Sequence, residues 1–258
     1  MQDEFFKLGG HNFSSRLIVG TGKFNSKEIM VKAIEATKTQ MVTVALRRVD
    51  FRNPKDNLLS YIDRKKYIIL PNTSGAQTAD EAIRIAMIAR EAGVSDWIKI
   101  EVTPDPRYLL PDGEETLKAA QVLAKEGFKV MPYINADPIL AKKLEDAGCV
   151  SVMPLGSPIG SNRGLKTLEL IKIIIEQSNI PVIVDAGIGK PSDASEAMEL
   201  GASAVLINTA IATAEDPVLI AEAFHLAVLA GRKGFLSGLP IEKQKAEASS
   251  PLDWVSKL

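Results

Sequence analysis

A single rhythm runs through the whole chain. A short run, mostly apolar and β-branched, is followed by a longer amphipathic run, and the pair recurs eight times. The candidate strands are 16–20 (RLIVG), 41–46 (MVTVAL), 67–70 (YIIL), 97–102 (WIKIEV), 129–133 (KVMPY), 150–153 (VSVM), 181–185 (PVIVD) and 204–208 (AVLIN). Their spacing of roughly 20–30 residues fits one strand plus its crossover helix. The helical runs carry their own punctuation: Thr78-Ala79-Asp80-Glu81 opens one and Gly93 closes it, and Asp112-Gly113-Glu114-Glu115 opens another that ends at Gly127. Asn135-Ala136-Asp137-Pro138 with Gly148, and Pro191-Ser192-Asp193 with Gly201, repeat the pattern. A polar cap or proline at the start and glycine past the end is the expected asymmetry of a helix. Strands alternating with such helices predict a parallel sheet. Eight units favour a closed (β/α)8 TIM barrel, one α/β domain over residues 1–258, over an open doubly wound sheet.

Two stretches fall outside the rhythm. Residues 1–15, with Leu8-Gly9-Gly10-His11-Asn12, read as a hairpin covering the barrel floor. Residues 231–258, rich in Gly, Ser and Lys, read as an irregular C-terminal tail anchored by Phe235, Leu239 and Trp254.

Composition narrows the function classes. Thirty-one Lys and Arg against 32 Asp and Glu give a net charge of −1, and aromatics are 5%. Neither an electrostatic pull toward nucleic acid nor base-stacking platforms follow from such a chain. Cys149 is the sole cysteine, which excludes a disulfide framework and a zinc site of paired thiols. Free cysteine is among the most buried residue types, so it is read as a small core residue. No apolar run approaches the ~18 residues of a membrane span, and the N-terminal stretch has no apolar core of a signal peptide. A cytoplasmic location is expected.

In such a barrel the C-terminal ends of the strands form the active site. Side chains alternate along a strand, so Ile98, Ile100 and Val102 share the helix-facing side and Lys99 and Glu101 point inward. Opposite charges inside a barrel are costly unless paired, and a structural ion pair is one reading. The other is an amine-plus-acid site, in which a lysine attacks a carbonyl to form a Schiff base and a carboxylate moves protons. Asp185, in phase with Ile183, either neutralises Lys99 or serves as a second acid or base. The small residues Ala186-Gly187-Ile188-Gly189, the turn Asn208-Thr209-Ala210, and the loop Gly156–Gly164 suit a phosphate site shared by the last three strand ends. Arg47-Arg48 either binds an acidic group or pairs with Asp50, and Asn72-Thr73-Ser74-Gly75 is a rim loop or a plain turn. His11 and His225 lie far apart, and no metal-ligand spacing, GxSxG or GxxxxGK[ST] motif occurs. Residues alone thus leave open a Schiff-base enzyme on a sugar phosphate, an aldolase or lyase among them, and a non-catalytic barrel that binds a phosphorylated ligand.

Seven segments, taken together and in order, resemble the thiazole synthase family of thiamine biosynthesis. They are VTVALRRVD (42–50), LPNTSGAQTADEA (70–82), WIKIEV (97–102), LLPDGEETLKAA (109–120), VMPLGSPIGSNRG (152–164), VDAGIGKPSDA (184–194) and NTAIA (208–212). One departure is Asn162, where many members place a glycine. The resemblance implies a sulfur-transferring enzyme that forms an imine between Lys99 and the ketone of 1-deoxy-D-xylulose 5-phosphate. Sulfur would come from a ubiquitin-like carrier protein with a C-terminal thiocarboxylate, and dehydroglycine would complete the thiazole phosphate ring. By the same resemblance Glu101 and Asp185 are the acid/base pair, and Gly160, Ala186, Gly187, Asn208 and Thr209 take the substrate phosphate. It implies no cofactor and no metal, a protein partner, and self-association into a homo-oligomer.

Overall fold

Apolar runs form the staves of a barrel in the computed structural model, which describes residues 5–49, 58–241 and 243–250. An antiparallel hairpin, β1 (Phe6–Leu8) and β2 (His11–Phe13), comes first. Eight strands follow: β3 (Leu17–Gly20), β4 (Met41–Ala45), β5 (Ile68–Asn72), β6 (Trp97–Ile100), β7 (Lys129–Ile134), β8 (Met153–Pro154), β9 (Ile183–Asp185) and β10 (Ala204–Ile207). They pair in parallel in the order β8-β7-β6-β5-β4-β3-β10-β9. Parallel bridges Val152↔Val182 and Leu155↔Asp185 join β8 to β9 and close the ring.

Eight helices are described: α1 (Lys27–Ala36), α2 (Ala79–Glu91), α3 (Gly113–Lys125), α4 (Pro138–Asp146), α5 (Leu168–Gln177), α6 (Pro191–Glu199), α7 (Thr209–Ala212) and α8 (Pro217–Ser237). Their starts follow the local chemistry. Thr78, Asp112 and Asp137 cap α2, α3 and α4 by accepting from backbone N–H groups of the first turn. None is long and apolar enough to cross a membrane.

Alternation along the strands divides the interior. Ile98, Ile100, Val102, Val182 and Val184 face the helices in the outer core. Ile18, Met41, Leu70, Trp97, Met131, Met153, Ile183 and Leu206 fill the barrel's middle, and Phe6, Leu8 and Phe13 of the hairpin close it from below. Phe13 meets Trp97 edge-on at 6.2 Å and Phe6 at 5.5 Å. Each of these side chains contributes about 1.5–3 kcal/mol by leaving water. Cys149 is buried in the outer core, and burial pushes its thiol up to about 12, so it is not a nucleophile.

The structure corrects three boundaries. The sixth barrel strand, expected at 150–153, pairs regularly at Met153–Pro154 and continues in Leu155 and Gly156, which donate to Ile134 O and Asp185 O. Proline has no N–H and this stretch lacks an unbroken ladder, which blurred its signal. The fourth strand stops at Ile100 because the Thr73 hydroxyl, not a neighbouring strand, satisfies the backbone of Glu101. The tail expected to be irregular from residue 231 is helical to Ser237. Gly231 there reads as a breaker, but it lets α8 pass close to α6: a Cβ would stand 2.3 Å from Ser195 O. Residues 238–241 and 243–250 have no regular structure, and Trp254 lies outside the described residues.

Candidate active site

Above the apolar middle layer the barrel turns polar. Thr43, Asn72, Lys99, Glu101 and Asp185 line a cavity of about 330 Å³ at the C-terminal ends of the strands. Loops after β3, β4, β5, β6, β8, β9 and β10 complete its walls.

Lys99 is the centre. Its Nζ lies 2.5 Å from Asp185 Oδ2 and 2.9 Å from Glu101 Oε1, with all three side chains nearly buried. Burial pulls the ammonium down, but the two carboxylates, Asp185 first, outweigh it and hold it above the ordinary lysine range. Burial pushes the Asp185 carboxyl up, against the pull of Lys99, and the neighbouring Glu101 charge pushes the same way. One ammonium and two carboxylates leave a buried surplus of negative charge. A proton relieves that surplus, so Asp185 is set to take one. The Tyr133 ring lies 5.5 Å from Lys99 Nζ, and its phenol is pushed up by burial and by the Asp185 and Glu101 charges.

Long-range hydrogen bonds fix the triad. Thr73, fully buried, donates from Oγ1 to Glu101 O at 2.9 Å and accepts from Glu101 N at 2.8 Å. Asn72 pairs in register with Lys99 and donates to Thr43 Oγ1 at 3.0 Å. The rim loop after β5 is therefore a brace for the carboxylate-bearing strand.

The loops after β8 and β9 are knitted together. Gly156 N donates to Asp185 O at 3.0 Å, Gly164 N to Gly187 O at 2.8 Å, and the Ser157 hydroxyl to Gly164 O. Ala186 and Gly187 both have left-handed φ, +60° and +77°. A Cβ at 187 would stand 2.4 Å from Ser157 Cβ, so no side chain fits there. Asn162 takes φ +51°, a conformation that asparagine tolerates better than most residues, which accounts for its standing in a glycine's place. Asp193 accepts from Gly189 N and Lys190 N at 2.9 and 3.1 Å and pins the loop to the start of α6. Beside these loops, Asn208 lies so close over β3 that a Cβ at Gly20 would stand 2.6 Å from its side chain.

All eight residues singled out from the sequence line this one cavity: Lys99, Glu101, Asp185, Gly160, Ala186, Gly187, Asn208 and Thr209. Arg47 and Arg48 line it too; Arg48 donates to Thr21 O at 2.8 Å, while Asp50 lies outside the described residues. His11 sits at the floor beside Trp97, and His225 is on α8. No cluster of three or more His, Cys, Asp or Glu suited to a metal occurs among the described residues. Sequence reasoning placed Thr73 in a rim loop without its contact to Glu101, and it missed Lys23 as a lining residue. Thr73 acts through a contact 28 positions away, which nothing local announces. Lys23 lines the cavity from the turn Gly20-Thr21-Gly22-Lys23, and small residues at the end of the first strand were the available signal.

A (β/α)8 barrel with a buried amine between two carboxylates, beside small-residue loops at the last three strand ends, belongs to the class of barrel enzymes equipped for imine chemistry. The family model of the thiazole biosynthesis protein ThiG matches residues 7–251. Thiazole synthase 1 of Syntrophotalea carbinolica is 62% identical over 245 residues, covering 95% of each chain. Thiazole synthase of Syntrophobacter fumaroxidans is 62% identical over 250 residues, covering 97% of this chain and 98% of its own. Among solved structures, the Amycolatopsis orientalis BexX/CysO complex superposes with a TM-score of 0.83 at 34% identity, covering 94% of this chain and 99% of that one. The chain belongs to the ThiG family of thiazole biosynthesis proteins.

Proposed function

We propose that the chain is a thiazole synthase. It condenses 1-deoxy-D-xylulose 5-phosphate, dehydroglycine and sulfur from a thiocarboxylated carrier protein into thiazole phosphate. The observation that carries the mechanism is the position of Lys99 Nζ, 2.5 Å from Asp185 and 2.9 Å from Glu101. Lys99 rests as an ammonium and must lose a proton to attack. Asp185, whose carboxyl is already pushed toward its protonated form, accepts it. The free amine adds to the sugar ketone to give a carbinolamine. Loss of water, with the oxygen protonated by the same acid, leaves the imine on Lys99. Glu101, held in place by Thr73, shuttles the proton that shifts the imine along the sugar chain. The phosphate lies at the end lined by Gly160, Ala186, Gly187, Asn208 and Thr209, where small residues allow close approach of backbone to an anion.

The sulfur donor is a macromolecule in this reading, and only its C-terminal tail enters the cavity. The BexX/CysO structure supports a protein partner, because a relative of the same fold is there in a complex. Self-association through the helical exterior belongs to the same reading. Leu219 and Leu226, 65% and 58% exposed on α8, supply apolar surface for it, and a sedimentation mass of one chain across micromolar concentrations counts against it. A cytoplasmic location completes the proposal.

The test is borohydride trapping with 1-deoxy-D-xylulose 5-phosphate, followed by peptide mass mapping. A reduced adduct on Lys99 is expected. No adduct in a protein that binds the sugar phosphate reduces Lys99 to an ion-pair partner and overturns the mechanism. An aldolase shares the amine and the cavity, so thiazole phosphate formed on adding dehydroglycine and the thiocarboxylated carrier separates the two.

A further inference from the structure

The turn after β3 presents a cation to which the mechanism above gives no task. Lys23 has φ +68°, a left-handed conformation that lysine adopts only at a cost. Glycine or asparagine would occupy it with less strain. The turn is fixed on three sides. Thr21 Oγ1 donates to Thr43 O at 3.1 Å, the Arg48 guanidinium donates to Thr21 O at 2.8 Å, and Phe24 packs against the outer core.

From this turn the side chain reaches across the cavity mouth to the loop after β8. Its Nζ lies 3.0 Å from where a Cβ on Gly160 would stand, and Thr209 Oγ1 lies 3.7 Å from the same place. Glycine at 160 thus leaves room for the ammonium beside the loops of the sixth and eighth barrel strands. Among the described residues Lys23 has no hydrogen bond and no ion pair, while the buried carboxylates of the cavity, Glu101 and Asp185, are both engaged by Lys99.

We infer that Lys23 clamps the phosphate of the sugar substrate and makes the enzyme selective for phosphorylated sugars. The inference rests on the proposal that the Gly160, Ala186-Gly187 and Asn208-Thr209 end takes the phosphate. Backbone groups and a hydroxyl offer that dianion only partial charges, whereas a lysine ammonium supplies a full one with three donors. Lys23 is a binding residue in this account. It holds the remote end of the substrate equally in ground and transition states and takes no part in proton transfer at Lys99.

Calorimetry with 1-deoxy-D-xylulose 5-phosphate and with unphosphorylated 1-deoxy-D-xylulose tests this on the wild type, Lys23→Met and Lys23→Arg, alongside KM and kcat in the complete reaction. Lys23→Met is expected to lose about 10- to 100-fold in affinity for the phosphorylated sugar, the range of a charge-assisted hydrogen bond. Affinity for the unphosphorylated sugar should stay within about twofold, KM should rise with kcat nearly unchanged, and Lys23→Arg should recover most of the loss. If the wild type prefers the phosphorylated sugar and Lys23→Met keeps that preference, the clamp is wrong and the phosphate end stands. An equal loss for both sugars, or a loss in kcat alone, likewise overturns the clamp. If the wild type shows no preference, the phosphate end itself is wrong and the inference goes with it.

Discussion

The Lys99→Met substitution preserves most of the side chain's length and removes its charge. In the wild type the ammonium lies 2.5 Å from one carboxylate and 2.9 Å from another, and Glu101 and Asp185 are only 6% and 3% exposed. Without it, two buried carboxylates face each other with no cation between them. Breaking a buried ion pair costs about 3–5 kcal/mol. A domain of this size loses about 2–4 °C of Tm per kcal/mol, so at pH 8 the variant should melt roughly 6–20 °C below the wild type. The deficit must depend on pH. Burial already raises the Asp185 carboxyl, and loss of Lys99 removes the interaction that opposes this. A group whose folded pKa exceeds its unfolded pKa gives stability that is full below the unfolded value and is lost as pH rises through the folded one. The deficit should therefore shrink from pH 8 toward pH 5, by up to about 1.4 kcal/mol per pH unit for one proton. Adding Asp185→Asn to Lys99→Met removes one of the two charges and should recover a large share of the loss at pH 8. Thermal melts by circular dichroism at both pH values measure all three proteins. A Lys99→Met protein that melts within about 2 °C of the wild type at both would show that the triad is not electrostatically coupled. Proton transfer from Lys99 to Asp185 would then lose its basis.

Thr73→Val keeps the shape of a fully buried residue but strips the donor and acceptor from Glu101's backbone. It should cost about 1–3 kcal/mol in denaturant melts. Through misplacement of Glu101 it should also lower kcat about 10- to 100-fold at little-changed KM, with Thr73→Ser restoring both. Phe13→Ala empties the junction between hairpin and barrel and should cost about 3–5 kcal/mol, while borohydride trapping on Lys99 at low temperature stays intact.

Alternation made the inner face of β6 legible before any coordinates, because three apolar residues interleave with Lys99 and Glu101 and only one phase keeps both sets satisfied. The same reasoning placed Asp185 inward beside Ile183. Small-residue loops after the last three strands stood out because few side chains could fit between tightly packed strand ends, as Gly187 against Ser157 demonstrates. Contacts between distant strand ends were not legible. The Thr73–Glu101 brace joins neighbouring strands 28 positions apart, the arrival of Lys23 at Gly160 crosses the ring, and no short window of sequence contains both partners of either contact. The extension of α8 through Gly231 was hidden for a related reason, since a glycine chosen for close helix packing looks the same as one chosen to end a helix.

The hairpin beneath Trp97 makes the barrel a blind alley. With Phe6, Leu8 and Phe13 sealing the lower end, the cavity among the described residues opens at the strand tips. In the proposed reaction, sugar phosphate, the water expelled on imine formation, the carrier's tail and the finished ring would all share that doorway. They must therefore take turns. On that reading a sugar anchored covalently deep inside waits while the carrier tail enters above it, and the product leaves after the tail has withdrawn. The proposed reaction thus draws its order of entry from the plumbing of the fold.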